Sequence, residues 1–254
     1  GIGAAAYSPA KYGILTELLG ADKLVKANSM MEGSTIVAIL LGAVLGGMLA
    51  DHSVDAALAG VAACYVIAGL ANLLIPKLPP AHPVATFAPT ALVKDFWVAL
   101  VALVKTPDAR FSMLGTSVFW GSGSTLRFLL VAWVPVALLI ADNGTAANLS
   151  GVVAIGIALG AAAAAKFVTL GTVNRALPAG ILIGLLIPVF AHATSLPLAV
   201  ILLVLIGACG GFYVVPLNAL LQERGHETGG AGHAIAVQNV FENFAMLVMV
   251  GGAR

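Results

Sequence analysis

YSPAKYGILTE, residues Tyr7 to Glu17, is answered 206 positions further on by YVVPLNALLQE, residues Tyr213 to Glu223. At that offset Tyr7 falls on Tyr213, Leu15 on Leu221 and Glu17 on Glu223. Further along, Glu32 falls on Gln238 and Gly46 on Gly252. The identities are few, and alone they carry little weight. What lies between them gives the echo its meaning. A helix needs roughly 20 apolar residues to cross the hydrocarbon core of a bilayer. Such runs stand at Met30–Ala50, Val54–Ile75, Phe111–Leu139, Leu149–Leu170, Leu177–Ala193 and Leu196–Leu220. The end of another occupies Gly1–Leu15, and a last one starts near Ala234. A repeat of this length with six spans between equivalent points is the signature of two parallel six-helix halves. The fold expected is an all-α membrane protein of two six-helix bundles, incomplete here at both ends and showing about the fourth to the eleventh of twelve spans.

Composition agrees. Of the 254 residues 60% are hydrophobic and only 9% charged, with a mean hydropathy of +1.04. A soluble domain carries about 25% charged residues, so a soluble globular fold is excluded. The net charge of +1 comes with no basic patch for nucleic acid. Cys64 and Cys209 stand alone in apolar runs, which excludes a disulfide framework and a CxxC metal site. The histidines are scattered, and none pairs with Asp, Glu or Cys at metal-ligand spacing. No metal or cofactor is expected. The chain begins at Gly1 within an apolar stretch and stops at Arg254 soon after another, so it reads as an internal piece of a longer protein.

The loops alternate in charge. Lys23 and Lys26, then Lys77, Lys94, Lys105 and Arg110, then Lys166 and Arg175, then Arg224 mark one side; Asp51, His52 and Asp55, then Asp142, then His192 mark the other. By the positive-inside rule the first set is cytoplasmic. Residues 1–76 then form the end of an N-terminal bundle, 77–107 a cytoplasmic linker, and 108–254 a C-terminal bundle. Within the linker, PKLPPAHPVATFAP (Pro76–Pro89) is proline-rich and expected to be extended. TALVKDFWVALVALVK (Thr90–Lys105) has only nine uncharged residues between Asp95 and Lys105, too few to span, and reads as a helix lying along the inner membrane surface. Gly42, Gly46 and Gly47, and Gly156, Gly160 and Ala164, are spaced to let helices approach closely.

The longer strings YSPAKYGILTELLGADKLVKAN with MEGSTI, TLRFLLVAWVPVAL, and PAGILIG with GGFYVVPLNALLQERG and GHAIAVQN resemble the bacterial lysophospholipid transporters of the major facilitator superfamily. The resemblance runs over essentially the whole chain. It implies a twelve-helix, multi-pass protein of the bacterial inner membrane that works by alternating access. It implies movement of lysophospholipids, chiefly lysophosphatidylethanolamine, to the cytoplasmic leaflet for reacylation by a partner acyltransferase/acyl-ACP synthetase. The alternative is a proton-coupled major facilitator exporter of another amphipathic small molecule. An enzyme is not expected, because no nucleophile or acid–base constellation stands at a bilayer surface.

From Phe111 to Ile140, Arg127 is the only charged residue. A charge at mid-span costs roughly 2.5–3.5 kcal/mol on insertion scales and should face protein or a water-filled cavity. Either it locks two helices in an ion pair, or its planar fork meets a phosphate headgroup or closes a gate. Gly121 and Gly123 just before it suggest a bend at GSGS (Gly121–Ser124). Lys11 either snorkels at the inner end of its span or joins a charge lock with Arg127; the resemblance places their acidic partner on the first helix of the full protein. Glu32 opens the second span. Gln238, Asn239, Glu242 and Asn243 recur as a polar stripe, either interhelical glue or a cavity lining. Glu17, Glu223 and Arg224 read as loop-anchoring charges. The candidate binding or gating residues are therefore Arg127, Lys11, Glu32, Gln238, Asn239 and Glu242.

Overall fold

The computed structural model describes residues 2–76, 89–140 and 143–252. Most of the proline-rich linker and Asp142 lie outside the described residues. Among the described residues nine α-helices follow one another: α1 (Ile2–Leu18), α2 (Leu24–His52), α3 (Val54–Asn72), α4 (Pro89–Lys105), α5 (Pro107–Ala137), α6 (Asn143–Phe167), α7 (Leu177–Ala191), α8 (Leu196–Thr228) and α9 (Ala231–Gly251). Short 3-10 segments, Ala21–Lys23 and Leu170–Ala176, lead into α2 and α7. Among the described residues there is no strand.

Local chemistry sets the helix ends. Ser53 separates α2 from α3 and accepts a hydrogen bond from Ala56 N at 3.3 Å, a side-chain cap for a donor that the helix leaves unpaired. Prolines stand in the first turns of α5, α7 and α8, where their missing N–H has no helical partner to lose. Gly230 joins α8 to α9 at φ 110°, a conformation that suits glycine.

Among the described residues six stretches are long and apolar enough to cross a membrane: Ala21–Gly42, Val54–Asn72, Gly144–Phe167, Leu170–Ala191, Leu196–Thr228 and Ala231–Gly251. The chain is a multi-pass membrane protein. With 31 residues α5 is also long enough, but hydroxyls, glycines and Arg127 dilute its apolar content and it is not one of the six. A helix with so polar a middle belongs against protein or water rather than lipid.

The chain divides into two compact units, Gly1–Gly33 with His82–Arg254, and Ser34–Ala81. In the smaller unit the second part of α2 meets α3, with the Gly60 position against Leu49. Gly42 and Gly46 meet nothing within 4 Å, so the close approach expected there is not made among the described residues. The larger unit does contain the expected seam. Gly156 and Gly160 of α6 lie on Gly207, Ala208 and Phe212 of α8, and a Cβ added at Gly160 would run into the Ala208 carbonyl. Ala161 and Ala164 are buried along the same seam.

At Gly121–Ser124, where a bend is expected, α5 continues as an unbroken helix. Ser122 Oγ donates to Val118 O at 2.7 Å and Thr125 Oγ1 to Gly121 O at 3.0 Å, back-bonds made on the helix's own turns. Gly121 serves packing instead, since a Cβ there would meet Met249 Sδ and Ala245 of α9. A helix stands where the surface helix is expected: α4 covers Pro89–Lys105. In α4, Phe96, Ala99, Leu100 and Leu103 recur at i, i+3, i+4 and i+7 and pack on Ala109, Met113, Leu221 and Val237. Lys94, Asp95, Trp97 and Val98 stay exposed.

Candidate functional site

α1, α2, α5, α8 and α9 converge on a pocket of about 180 Å³. Its lining includes Ser8 and Tyr12 of α1, Glu32 of α2, Trp120 of α5, Asn218 of α8, and Gln238, Asn239 and Glu242 of α9. Helical geometry assembles it. Gln238 and Glu242 are one turn apart on one face of α9, as are Ser8 and Tyr12 on α1. The pocket thus gathers two carboxylates, a phenol, a hydroxyl, an indole and three amides within an apolar bundle.

The polar groups hold one another. Tyr12 Oη donates to Glu32 Oε1 at 2.9 Å, joining α1 to α2. The buried Gln238 Nε2 stands 2.7 Å from Asn218 Oδ1, 2.8 Å from Glu242 Oε1 and 3.0 Å from Thr116 Oγ1. An amide nitrogen has only two hydrogens, so the three oxygens cannot all receive one from it. The Thr116 hydroxyl turns its own hydrogen to Met113 O, 3.3 Å away. Gln238 is consequently the knot that ties α5, α8 and α9 together beneath the pocket.

Of the residues expected from sequence, Glu32, Gln238, Asn239 and Glu242 meet in this pocket. Asn243 does not: it turns outward and donates to Asn239 O at 2.6 Å. On a helix it sits about 100° round from Glu242, which removes it from the stripe. Lys11 is half-buried on α1 beside the pocket, its Nζ 5.2 Å from the centre of the Tyr12 ring. Arg127 is exposed, and among the described residues nothing forms a hydrogen bond or ion pair with it. It is nonetheless in line with the pocket. Thr116, Trp120, Gly123 and Arg127 recur at helical spacing along one face of α5, and Arg127 stands about 10 Å along the axis from Trp120. A Cβ at Gly123 would meet nothing within 4 Å, so the face is open between them.

Tyr12, Asn218, Trp120, Ser8 and Thr116 were not singled out from sequence. For two of them the repeat carried a usable signal. The offset of 206 positions that puts Glu32 on Gln238 also puts Tyr12 on Asn218, and both pairs line the pocket.

At their basic ends the helices are drawn together. A Cβ at Gly13 would lie 2.9 Å from Gly232 Cα, so α1 and α9 touch backbone to backbone. The Asn28 and Gln222 amides exchange two hydrogen bonds of 2.8 Å, linking α2 to α8. Ser29 Oγ donates to Ala161 O at 2.8 Å, linking α2 to α6. Arg224 binds Asp108 at 2.9 Å and Glu227 at 2.9 Å, anchoring the end of α8 to the start of α5. These last pairs are exposed, and each is worth about 0–1 kcal/mol.

Membrane-crossing helices packed through glycine seams around a pocket with two carboxylates define a polytopic membrane protein with a polar pocket between its helices. The family model described as Major Facilitator Superfamily matches residues 1–250, and the chain belongs to that superfamily. It is 60% identical over 251 residues to the lysophospholipid transporter LplT of Serratia proteamaculans (strain 568), covering 99% of this chain and 63% of that protein. It is 59% identical, also over 251 residues, to the proteins of the same name in Yersinia pestis (strain Pestoides F) and Yersinia pseudotuberculosis serotype I (strain IP32953), covering 99% of this chain and 62% of each. The chain therefore spans a little under two thirds of the length of these curated relatives. No solved structure matches it.

Proposed function

We propose that this protein transports lysophospholipids, chiefly lysophosphatidylethanolamine, to the cytoplasmic leaflet of a bacterial inner membrane, where an acyltransferase/acyl-ACP synthetase reacylates them. The observation that carries the reading is the open face of α5, which leads from the exposed Arg127 to the pocket holding Glu32 and Glu242. A zwitterionic headgroup has a phosphate for the guanidinium fork. It also has an ammonium for the carboxylates and the Trp120 ring. The names and identities of the relatives support the same substrate class. Lys11, beside Tyr12, supplies a second cation next to the pocket and serves as gate or phosphate contact. Closure at Gly13–Gly232 and Asn28–Gln222 supports alternating access, this being the state sealed on the basic side.

The test is uptake of labelled lysophosphatidylethanolamine by spheroplasts carrying the full-length protein. Losing a charge-assisted hydrogen bond costs about 1.5–3 kcal/mol, so Glu242→Gln is expected to slow uptake roughly 10-fold or more. Wild-type uptake by that variant at equal expression overturns the site. The two pocket carboxylates also favour a second reading, proton-coupled export of another amphipathic molecule. Under it, collapsing the pH gradient stops transport; under the first reading lysophospholipid uptake continues.

A further inference from the structure

A second cavity, of about 400 Å³, lies away from the polar pocket, in a crevice between α6, α7 and α8. Its walls include Leu159, Ala179, Leu182, Cys209 and Phe212, and among the described residues its one charged group is Arg175. Arg175 is exposed and ends the 3-10 segment that enters α7. Its Nη1 donates to Phe167 O at 3.3 Å, which uses one of five guanidinium hydrogens and holds the fork at the mouth of the crevice. Lys166, in the last turn of α6, has its Nζ 5.4 Å from the Phe167 ring, so two cations gather around one residue. From Arg175 the apolar wall runs to Leu182, about 10 Å deeper along α7. Among the described residues no acidic side chain lines the crevice.

We propose that this crevice binds one anionic phospholipid of the leaflet facing the basic loops, with its phosphate on Arg175 and an acyl chain against Leu159, Leu182 and Phe212. The charge pattern argues for a lipid of this kind. Basic pockets between membrane helices on the cytoplasmic side suit anionic headgroups. An acyl chain gains little by leaving bulk lipid for an apolar wall, because both surroundings are equally apolar. Selectivity then rests on the headgroup, and the crevice fixes where the chain lies.

The experiment uses full-length protein purified from nanodiscs of phosphatidylcholine with a minor share of phosphatidylglycerol, read by native mass spectrometry and by thermal unfolding. Wild type is expected to retain one phosphatidylglycerol in preference to phosphatidylcholine and to unfold at a higher temperature with it. Arg175→Gln is expected to lower retention severalfold and to abolish the thermal shift, while unfolding like wild type in phosphatidylcholine alone. Arg175→Lys keeps the preference. Ala179→Leu, which fills the crevice and leaves both cations in place, also lowers retention. Labelling of the Cys209 thiol in a Cys64→Ser background slows when phosphatidylglycerol is present. Equal retention by Arg175→Gln, equal retention of the two lipids by wild type, or release of the lipid by millimolar inorganic phosphate would each overturn the proposal.

Discussion

Gln238 offers two amide hydrogens to oxygens from Asn218, Glu242 and Thr116, all within 3.0 Å. A buried group so engaged is expensive to remove, because its partners remain in a medium without water. Gln238→Leu is expected to destabilise the protein by roughly 1–3 kcal/mol, measured by thermal unfolding in micelles; an unchanged transition would mean that the neighbours re-pair. Arg127 presents the opposite case. It has no partner among the described residues, so Arg127→Ala should change stability by no more than about 0.5 kcal/mol while lysophospholipid uptake collapses. The reverse result, normal uptake with a clear loss of stability, would make it a structural ion-pair residue. Sequence could single out Arg127, Glu32 and Glu242, because a charge in an apolar run is conspicuous by itself. It could not single out Thr116, which reads as an ordinary helix residue until another helix brings Gln238 within 3.0 Å.

Helices were the most legible level, because an apolar run of membrane length has few other ways to satisfy its backbone. What runs of residues do not reveal is how a helix uses its small residues. Gly160 is wedged on the α8 backbone while Gly184 meets nothing within 4 Å, although both stand in similar apolar surroundings. Gly160→Ala is expected to cost about 1–3 kcal/mol by forcing α6 from α8. Gly184→Ala should be neutral or stabilising by up to about 1 kcal/mol, from helix propensity. Comparing the two unfolding midpoints checks this, and equal shifts would refute the seam. At Gly121–Ser124 the helix is unbroken for a related reason. Glycine permits a break but does not impose one, and here α9 needs the space at Gly121.

For the molecule as a whole, Gly13–Gly232, Asn28–Gln222 and Ser29–Ala161 join α1 and α2 to α9, α8 and α6, and under the proposed alternating access some of these contacts have to part. The Asn28–Gln222 amide pair is the most specific of them. With Cys64 and Cys209 replaced, an N28C/Q222C variant bridged by a short bis-methanethiosulfonate cross-linker, which forms a disulfide with each cysteine, is expected to lose lysophospholipid transport and to recover it on reduction. Transport that continues while bridged would show that these ends stay together. Taken by itself, the sequence determined that this is a multi-pass helical membrane protein, roughly where its spans lie, and which charges are out of place. Those properties follow from composition and spacing along one chain. Only the tertiary structure decided which polar residues share a pocket, which glycines are seams, and that Arg127 is aligned with the pocket yet lies outside it. Such facts depend on the rotation and depth of each helix against its neighbours, and these are set by packing between residues as far apart as Asn28 and Gln222.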